Sequence, residues 1–133
     1  MITVLCIEDE KAVRDLIVEE LADAGLRTLE AENGRSGLEM IKQHRPDIVI
    51  SDITMPEMDG MELLAEVQIN HPELANMPFI FLTALADKEK MLEGLRAGAE
   101  NYLTKPIDFD ILLAKIQGLV IRIENRVSAG LEF

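Results

Sequence analysis

Residues 48–52 read Ile-Val-Ile-Ser-Asp, an apolar run that is β-branched at three positions and ends in a carboxylate. An apolar run of this length without polar alternation is a strand covered on both faces, as in a parallel sheet. Behind it, residues 53–60 (Ile-Thr-Met-Pro-Glu-Met-Asp-Gly) are rich in turn formers. A buried strand followed by such a loop presents Asp52 as a reactive acid on a rigid base. Residues 2–7 form another continuous apolar run of strand length, residues 78–83 read as a further strand, and residues 27–31 and 101–104 read as short strands.

Between the runs lie helical patterns. Residues 11–24 carry Val13, Ile17, Leu21 and Ala24 at helical spacing, with Leu16 beside them. Gly25 is the expected stop, with Leu26 as the hydrophobic contact of the C-cap. Asn33-Gly34 reads as a turn, and residues 36–44 as a helix with Leu38 and Ile41 inward, broken by Arg45-Pro46-Asp47. Asp59 is placed to cap a helix over 60–70 with Leu63, Leu64 and Val67 inward; His71-Pro72-Glu73 ends it. Asp87 is placed to cap a fourth helix to residue 97, with Met91, Leu92 and Leu95 on one face and Gly98 as stop. Asp108 begins a long fifth helix near Phe109. Its stripe of Leu112, Ile116, Leu119, Val120, Ile123 and Val127 outruns what one domain needs, which fits a partner helix, an output module, or simply a slightly long final helix with a frayed end. Strands alternating with amphipathic helices predict an α/β fold, a doubly wound parallel sheet of five strands with helices on both faces.

A chain of 133 residues is one domain by length, expected over residues 1–124, with 125–133 as a flexible end or the start of a linker. The net charge of −12 disfavours nucleic acid and anionic membrane as direct partners and fits a cation or a basic partner surface. A merely acidic, solvated surface gives the same charge. Cys6 lies inside the first strand and reads as a small buried hydrophobe; a single cysteine excludes a disulfide framework and suits a reducing, cytoplasmic compartment. No run approaches the ~18 apolar residues of a membrane span. The chain enters a strand at residue 2, so no signal peptide is expected. His44 and His71 sit in polar, loop-flanking surroundings and read as surface residues.

In open α/β sheets, sites form outside the carboxyl ends of the strands where the strand order reverses. The first strand delivers Glu8 and Asp9 there, the third Asp52, the fourth Thr83 and the fifth Lys105. With the order 2-1-3-4-5, three carboxylates crowd one pocket. Two unit charges ~4 Å apart repel by roughly 4 kcal/mol at an effective dielectric of about 20. Such a cluster persists when a cation sits in it or a member is protonated. With oxygen donors alone, the cation is a hard one; Mg²⁺ suits one or two carboxylates, waters and a phosphate oxygen. An acid beside that metal, a lysine and a hydroxyl has the parts for phosphoryl transfer to Asp52.

These motifs resemble the receiver domain of two-component response regulators over about residues 2–124. The matching pieces are Cys6-Ile7-Glu8-Asp9-Glu10, residues 50–60, Phe81-Leu82-Thr83-Ala84, and residues 96–106 ending in Lys105-Pro106. The resemblance implies a flavodoxin-like fold and a phosphoacceptor switch rather than an enzyme, catalysing only its own phosphorylation and slow dephosphorylation. It implies Asp52 as phosphoacceptor, and Asp9 as direct Mg²⁺ ligand with Glu8 in the outer shell, Asp52 itself and the backbone carbonyl of Thr54 completing the set; Mn²⁺ is the alternative ion. It implies Thr83 and Lys105 on the phosphoryl oxygens, Tyr102 as the switch aromatic, and a cis peptide before Pro106. The implied partners are a sensor histidine kinase or a histidine phosphotransfer protein, and a homodimer through the face of the fourth helix, fifth strand and fifth helix, where Arg96 lies.

Glu8 departs from the family's frequent Asp at that position, a mild change for a group acting through water. Leu85, two residues after Thr83, cannot orient an attacking water, so slow self-dephosphorylation is expected. A flavodoxin needs a Ser/Thr/Gly-rich loop where this chain has Glu8-Asp9-Glu10. An aspartate-nucleophile phosphatase needs an acid where it has Thr54. The remaining rival is a pseudo-receiver, a scaffold that keeps the fold without the phosphorylation.

Overall fold

A computed structural model describes residues 1–84 and 101–128, with residues 89, 92 and 96 between them. Strands β1 (Thr3–Ile7), β2 (Arg27–Ala31), β3 (Ile48–Asp52), β4 (Phe79–Thr83) and β5 (Asn101–Thr104) form one parallel sheet in the order β2-β1-β3-β4-β5. This is the flavodoxin-like order expected from the sequence. The described helices are α1 (Lys11–Asp23), α2 (Gly34–His44), α3 (Gly60–Asn70) and the terminal helix α4 (Phe109–Ser128), with a 3-10 turn at Pro72–Leu74.

Alternate residues of each strand point to opposite faces. Leu5, Ile7, Val49, Phe79 and Phe81 meet Leu38 and Ile41 of α2 and Leu63, Leu64 and Val67 of α3. Val4, Cys6, Ile48, Ile50, Ile80, Leu82 and Leu103 meet Ile17 and Leu21 of α1 and Leu112, Ile116 and Leu119 of α4. The central strands are therefore apolar along most of their length because both faces are covered, and their buried polar residues, Ser51, Asp52 and Thr83, lie at the carboxyl ends. Each fully buried Leu or Ile contributes roughly 1.5–3 kcal/mol. A few of them outweigh the repulsion among acids held at the strand ends.

The end of α1 is the expected glycine stop. Gly25 has φ 85°, its N–H donates to the Ala22 carbonyl at 3.0 Å, and the Leu26 N–H donates to Leu21 at 3.2 Å. Leu16 and Ala24 do not face inward; both are exposed. The stripe that reaches the core consists of Ile17 and Leu21, with Val13 and Val18 half-buried beside them.

Asn33-Gly34 is a helix cap, not a turn, and α2 starts two residues earlier than expected. The Asn33 side chain accepts from the Ser36 N–H at 2.8 Å while Ser36 Oγ accepts from the Asn33 N–H at 3.3 Å. This reciprocal box is what an asparagine supplies ahead of a helix. A β-carbon at Gly34 would collide with the Met58 carbonyl, so glycine there permits close packing against the loop after β3. Strand β4 begins at Phe79 rather than Pro78. Glu89, Leu92 and Arg96 are helical and exposed; the rest of the fourth predicted helix, and Leu85 before it, lie outside the described residues. Asp108 caps α4 through Oδ1, which accepts from the Asp110 and Ile111 N–H groups. Helix α4 continues to Ser128, through the whole expected stripe to Val127, and residues 129–133 lie outside the described residues. Among the described residues, no helix is long and apolar enough to cross a membrane.

Candidate functional site

The site lies where the strand order reverses. Strands β1 and β3 are neighbours, with Ile7 opposite Ser51, so Glu8 and Asp52 emerge side by side at the carboxyl edge. Glu8 is fully buried and Asp52 is 7% exposed, while Asp9 stands exposed at the mouth. Carboxylate oxygens of Glu8, Asp9 and Asp52 lie within 4.8 Å of one another. The three acids expected in one pocket are brought together in the structure.

Lys105 enters from β5. Its N–H donates to the Thr83 carbonyl at 2.8 Å, prolonging the β4–β5 pairing by one residue, and the Lys105–Pro106 peptide is cis. The ammonium then donates to Glu8 Oε1 at 2.9 Å and to Asp52 Oδ2 at 3.0 Å. Burial alone would lower the Lys105 pKa, but hydrogen bonds to Glu8 and Asp52 and their charges outweigh it and raise it. The ammonium therefore stays charged at neutral pH. Asp9 is shifted upward by desolvation and by its hydrogen bond and repulsion with Glu8. Burial, with Glu8 next, pushes the Cys6 thiol to about 12, which makes it a packing residue rather than a nucleophile.

Three carboxylates against one ammonium leave the cluster a formal charge of −2. All the donors are oxygens. The donor set and its charge fit a hard divalent cation.

The remaining expected residues surround this cluster. Thr83 is buried, one residue beyond Leu82, which pairs with Asp52; its hydroxyl donates to the Ala84 carbonyl at 3.0 Å. Tyr102 packs on Phe81 with ring centroids 5.6 Å apart. Its hydroxyl is buried without a hydrogen-bond partner among the described residues, and burial pushes its pKa to about 12. Thr54 is exposed in the loop after Asp52.

Two residues that contact the backbone of the site escaped sequence reasoning. A β-carbon at Gly60 would sit 2.5 Å from the Asp52 carbonyl oxygen, and the Gly60 N–H closes the loop by donating to the Ile53 carbonyl at 2.8 Å. The Asp59-Gly60 pair is a visible signal of a turn and a helix start, but neither reading reports the close approach to Asp52. Arg14 reaches from α1 to the Glu8 carbonyl; an arginine within a helical pattern gives no local sign of such a contact.

Comparison with known proteins agrees with this geometry. The family model described as the response regulator receiver domain matches residues 4–117. Response regulator MprA of Mycolicibacterium vanbaalenii is 33% identical over 129 residues, covering 97% of this chain and 54% of MprA. Regulatory protein AtoC of Escherichia coli K12 is 39% identical over 114 residues, covering 86% of this chain and 24% of AtoC. The structure of chemotaxis protein CheY4 of Vibrio cholerae matches with a TM-score of 0.82 at 33% identity, covering 90% of this chain and 98% of that one. The chain thus spans about half the length of MprA and about a quarter of AtoC. By sequence, fold and acidic cluster together, the chain belongs to the response-regulator receiver domains, phosphoacceptor switches rather than turnover enzymes.

Proposed function

We propose that Asp52 accepts a phosphoryl group from the phosphohistidine of a sensor histidine kinase or a histidine phosphotransfer protein. The observation that carries this reading is the bridge of Lys105 to both Glu8 and Asp52, at 2.9 and 3.0 Å, inside the three-carboxylate cluster. An Asp52 oxygen forms the new bond to phosphorus as the phosphorus–nitrogen bond of the donor breaks and the imidazole leaves. Lys105 releases its hold on Asp52 and pairs with a phosphoryl oxygen, and the buried Thr83 hydroxyl turns from Ala84 toward another. Asp9 directly, Glu8 through water, Asp52 and the Thr54 carbonyl would hold Mg²⁺, with Mn²⁺ as the alternative. When bound, that ion supplies further neutralisation of phosphoryl charge.

Tyr102 reports the change. Its ring already lies against Phe81 with an unpartnered hydroxyl, and it follows Thr83 when that residue moves. The output is the face made by segment 87–97, β5 and α4, offered to a partner or a second copy. The domain is assigned to residues 1–124 and to the cytoplasm. Leu85 gives phospho-Asp52 a long lifetime; decay within seconds in Mg²⁺ would contradict this. Incubation with acetyl phosphate and Mg²⁺, followed by mass spectrometry, is expected to add one phosphoryl group to the wild type and none to Asp52→Ala. An unmodified wild type would leave the pseudo-receiver scaffold.

A further inference from the structure

Arg14 stands outside the expected ligand set, one turn into α1. Its side chain is 14% exposed and its Nε donates to Glu30 Oε1 at 3.3 Å on β2. Its Nη1 donates to the carbonyl oxygen of Glu8 at 2.7 Å. Strand β1 ends at Ile7, so this carbonyl lies beyond the ladder. The Glu8 N–H is held by the Ala31 carbonyl at 3.1 Å. Its Oε1 accepts from Lys105 at 2.9 Å, and its Oε2 accepts from the Glu10 N–H at 3.3 Å. Arg14 therefore supplies the fourth tie on a fully buried acid. The backbone N–H of Arg14 also donates to the Glu10 carbonyl at 2.9 Å, tying the same short loop from its other end.

The carbonyl that Arg14 holds belongs to the peptide joining Glu8 to Asp9. Rotation of that peptide plane would swing both carboxylates relative to Asp52. We propose that Arg14 is a positioning residue for the divalent-cation site, fixing the Glu8–Asp9 peptide so that the two carboxylates converge. The inference rests on the metal reading given above. Its sign separates it from a charge effect. Arg14 is a cation, so by charge alone its removal would tighten binding of a divalent ion. Positioning predicts weaker binding.

Mg²⁺ is titrated calorimetrically into the wild type, Arg14→Ala and Arg14→Lys, with circular dichroism confirming the fold of each. Arg14→Ala is expected to bind about tenfold more weakly, the low end of what partners behind metal ligands contribute, and Arg14→Lys to fall between. In the acetyl phosphate reaction, the Mg²⁺ concentration giving half the maximal rate rises by the same factor, while the rate at saturating Mg²⁺ stays at the wild-type level. Arg14→Ala that binds Mg²⁺ as tightly as the wild type, or more tightly, overturns the inference. If Arg14→Ala does not fold, Arg14→Lys with wild-type affinity overturns it. A wild type that binds no Mg²⁺ overturns the metal reading, and this inference with it; that outcome is distinct from a wild type that binds and a variant that matches it.

Discussion

Lys105 Nζ lies 3.0 Å from Asp52 Oδ2 across 53 residues of chain. The same ammonium lies 2.9 Å from the fully buried Glu8 carboxylate. One lysine thus provides the standing countercharge for two acids, and the fold tolerates a carboxylate cluster before any metal arrives.

Removing that lysine exposes the cost of the cluster. Lys105→Ala leaves Glu8 buried with no ammonium beside it. The Lys105 side chain is 26% exposed, so the loss falls short of that for a fully enclosed pair. Urea unfolding without divalent cations is expected to show a loss of roughly 1–3 kcal/mol, part of it regained in Mg²⁺. Unchanged stability would mean that water already screens Glu8.

Mg²⁺ itself is expected to stabilise the fold by mass action. At ten times its dissociation constant it adds ~1.4 kcal/mol to the unfolding free energy. EDTA removes the gain, and Asp9→Asn abolishes most of it. A Mg²⁺ response that survives Asp9→Asn would place the ion elsewhere.

Alkaline pH is expected to destabilise the protein. Tyr102 is raised from 10.0 to about 12 by burial, and Lys105 is raised above its ordinary 10.5. A pKa raised in the folded state contributes stability that is complete below the unfolded value and is lost as pH rises through the folded one. Urea midpoints should therefore hold to pH ~10 and fall through pH ~12. Tyr102→Phe removes an unpartnered buried hydroxyl, so it should flatten that fall and add up to about 1 kcal/mol at neutral pH. A midpoint that drops equally in Tyr102→Phe and wild type would assign the loss to Lys105 alone.

Gly60 is expected to be intolerant where Gly118 is not. A β-carbon at Gly60 meets the Asp52 carbonyl oxygen at 2.5 Å and a Phe81 ring carbon at 2.8 Å; at Gly118 it meets nothing within 4 Å. Gly60→Ala should cost about 1–3 kcal/mol and slow phosphorylation by displacing Asp52. Gly118→Ala, in the interior of α4, should gain about 0.5–1 kcal/mol. Thermal melts of the two variants, run side by side, check both directions.

Much of this was legible because four of the five strands, β1, β3, β4 and β5, carry a functional residue at or just past their carboxyl ends. Glu8, Asp52, Thr83 and Lys105 could be assigned to one edge before any contact was known. What escaped the sequence depends on neighbours distant along the chain. Asn-Gly serves turns and caps alike, and only Ser36 and the packing of Gly34 on Met58 decide for the cap. Leu16 satisfies helical spacing, yet it is 53% exposed because the sheet covers only part of α1. Arg14 and Gly60 act on backbone carbonyls, which no side-chain pattern reports.

The most direct test of the account is where the phosphoryl group goes. Protein treated with acetyl phosphate and Mg²⁺ is reduced with borohydride, which converts an aspartyl phosphate to homoserine, and the peptides are mapped by mass spectrometry. Homoserine at position 52 alone, and absent with EDTA, is the predicted result. Homoserine at Asp9 or Asp59, or none at all, would contradict the assignment of Asp52 as the phosphoacceptor.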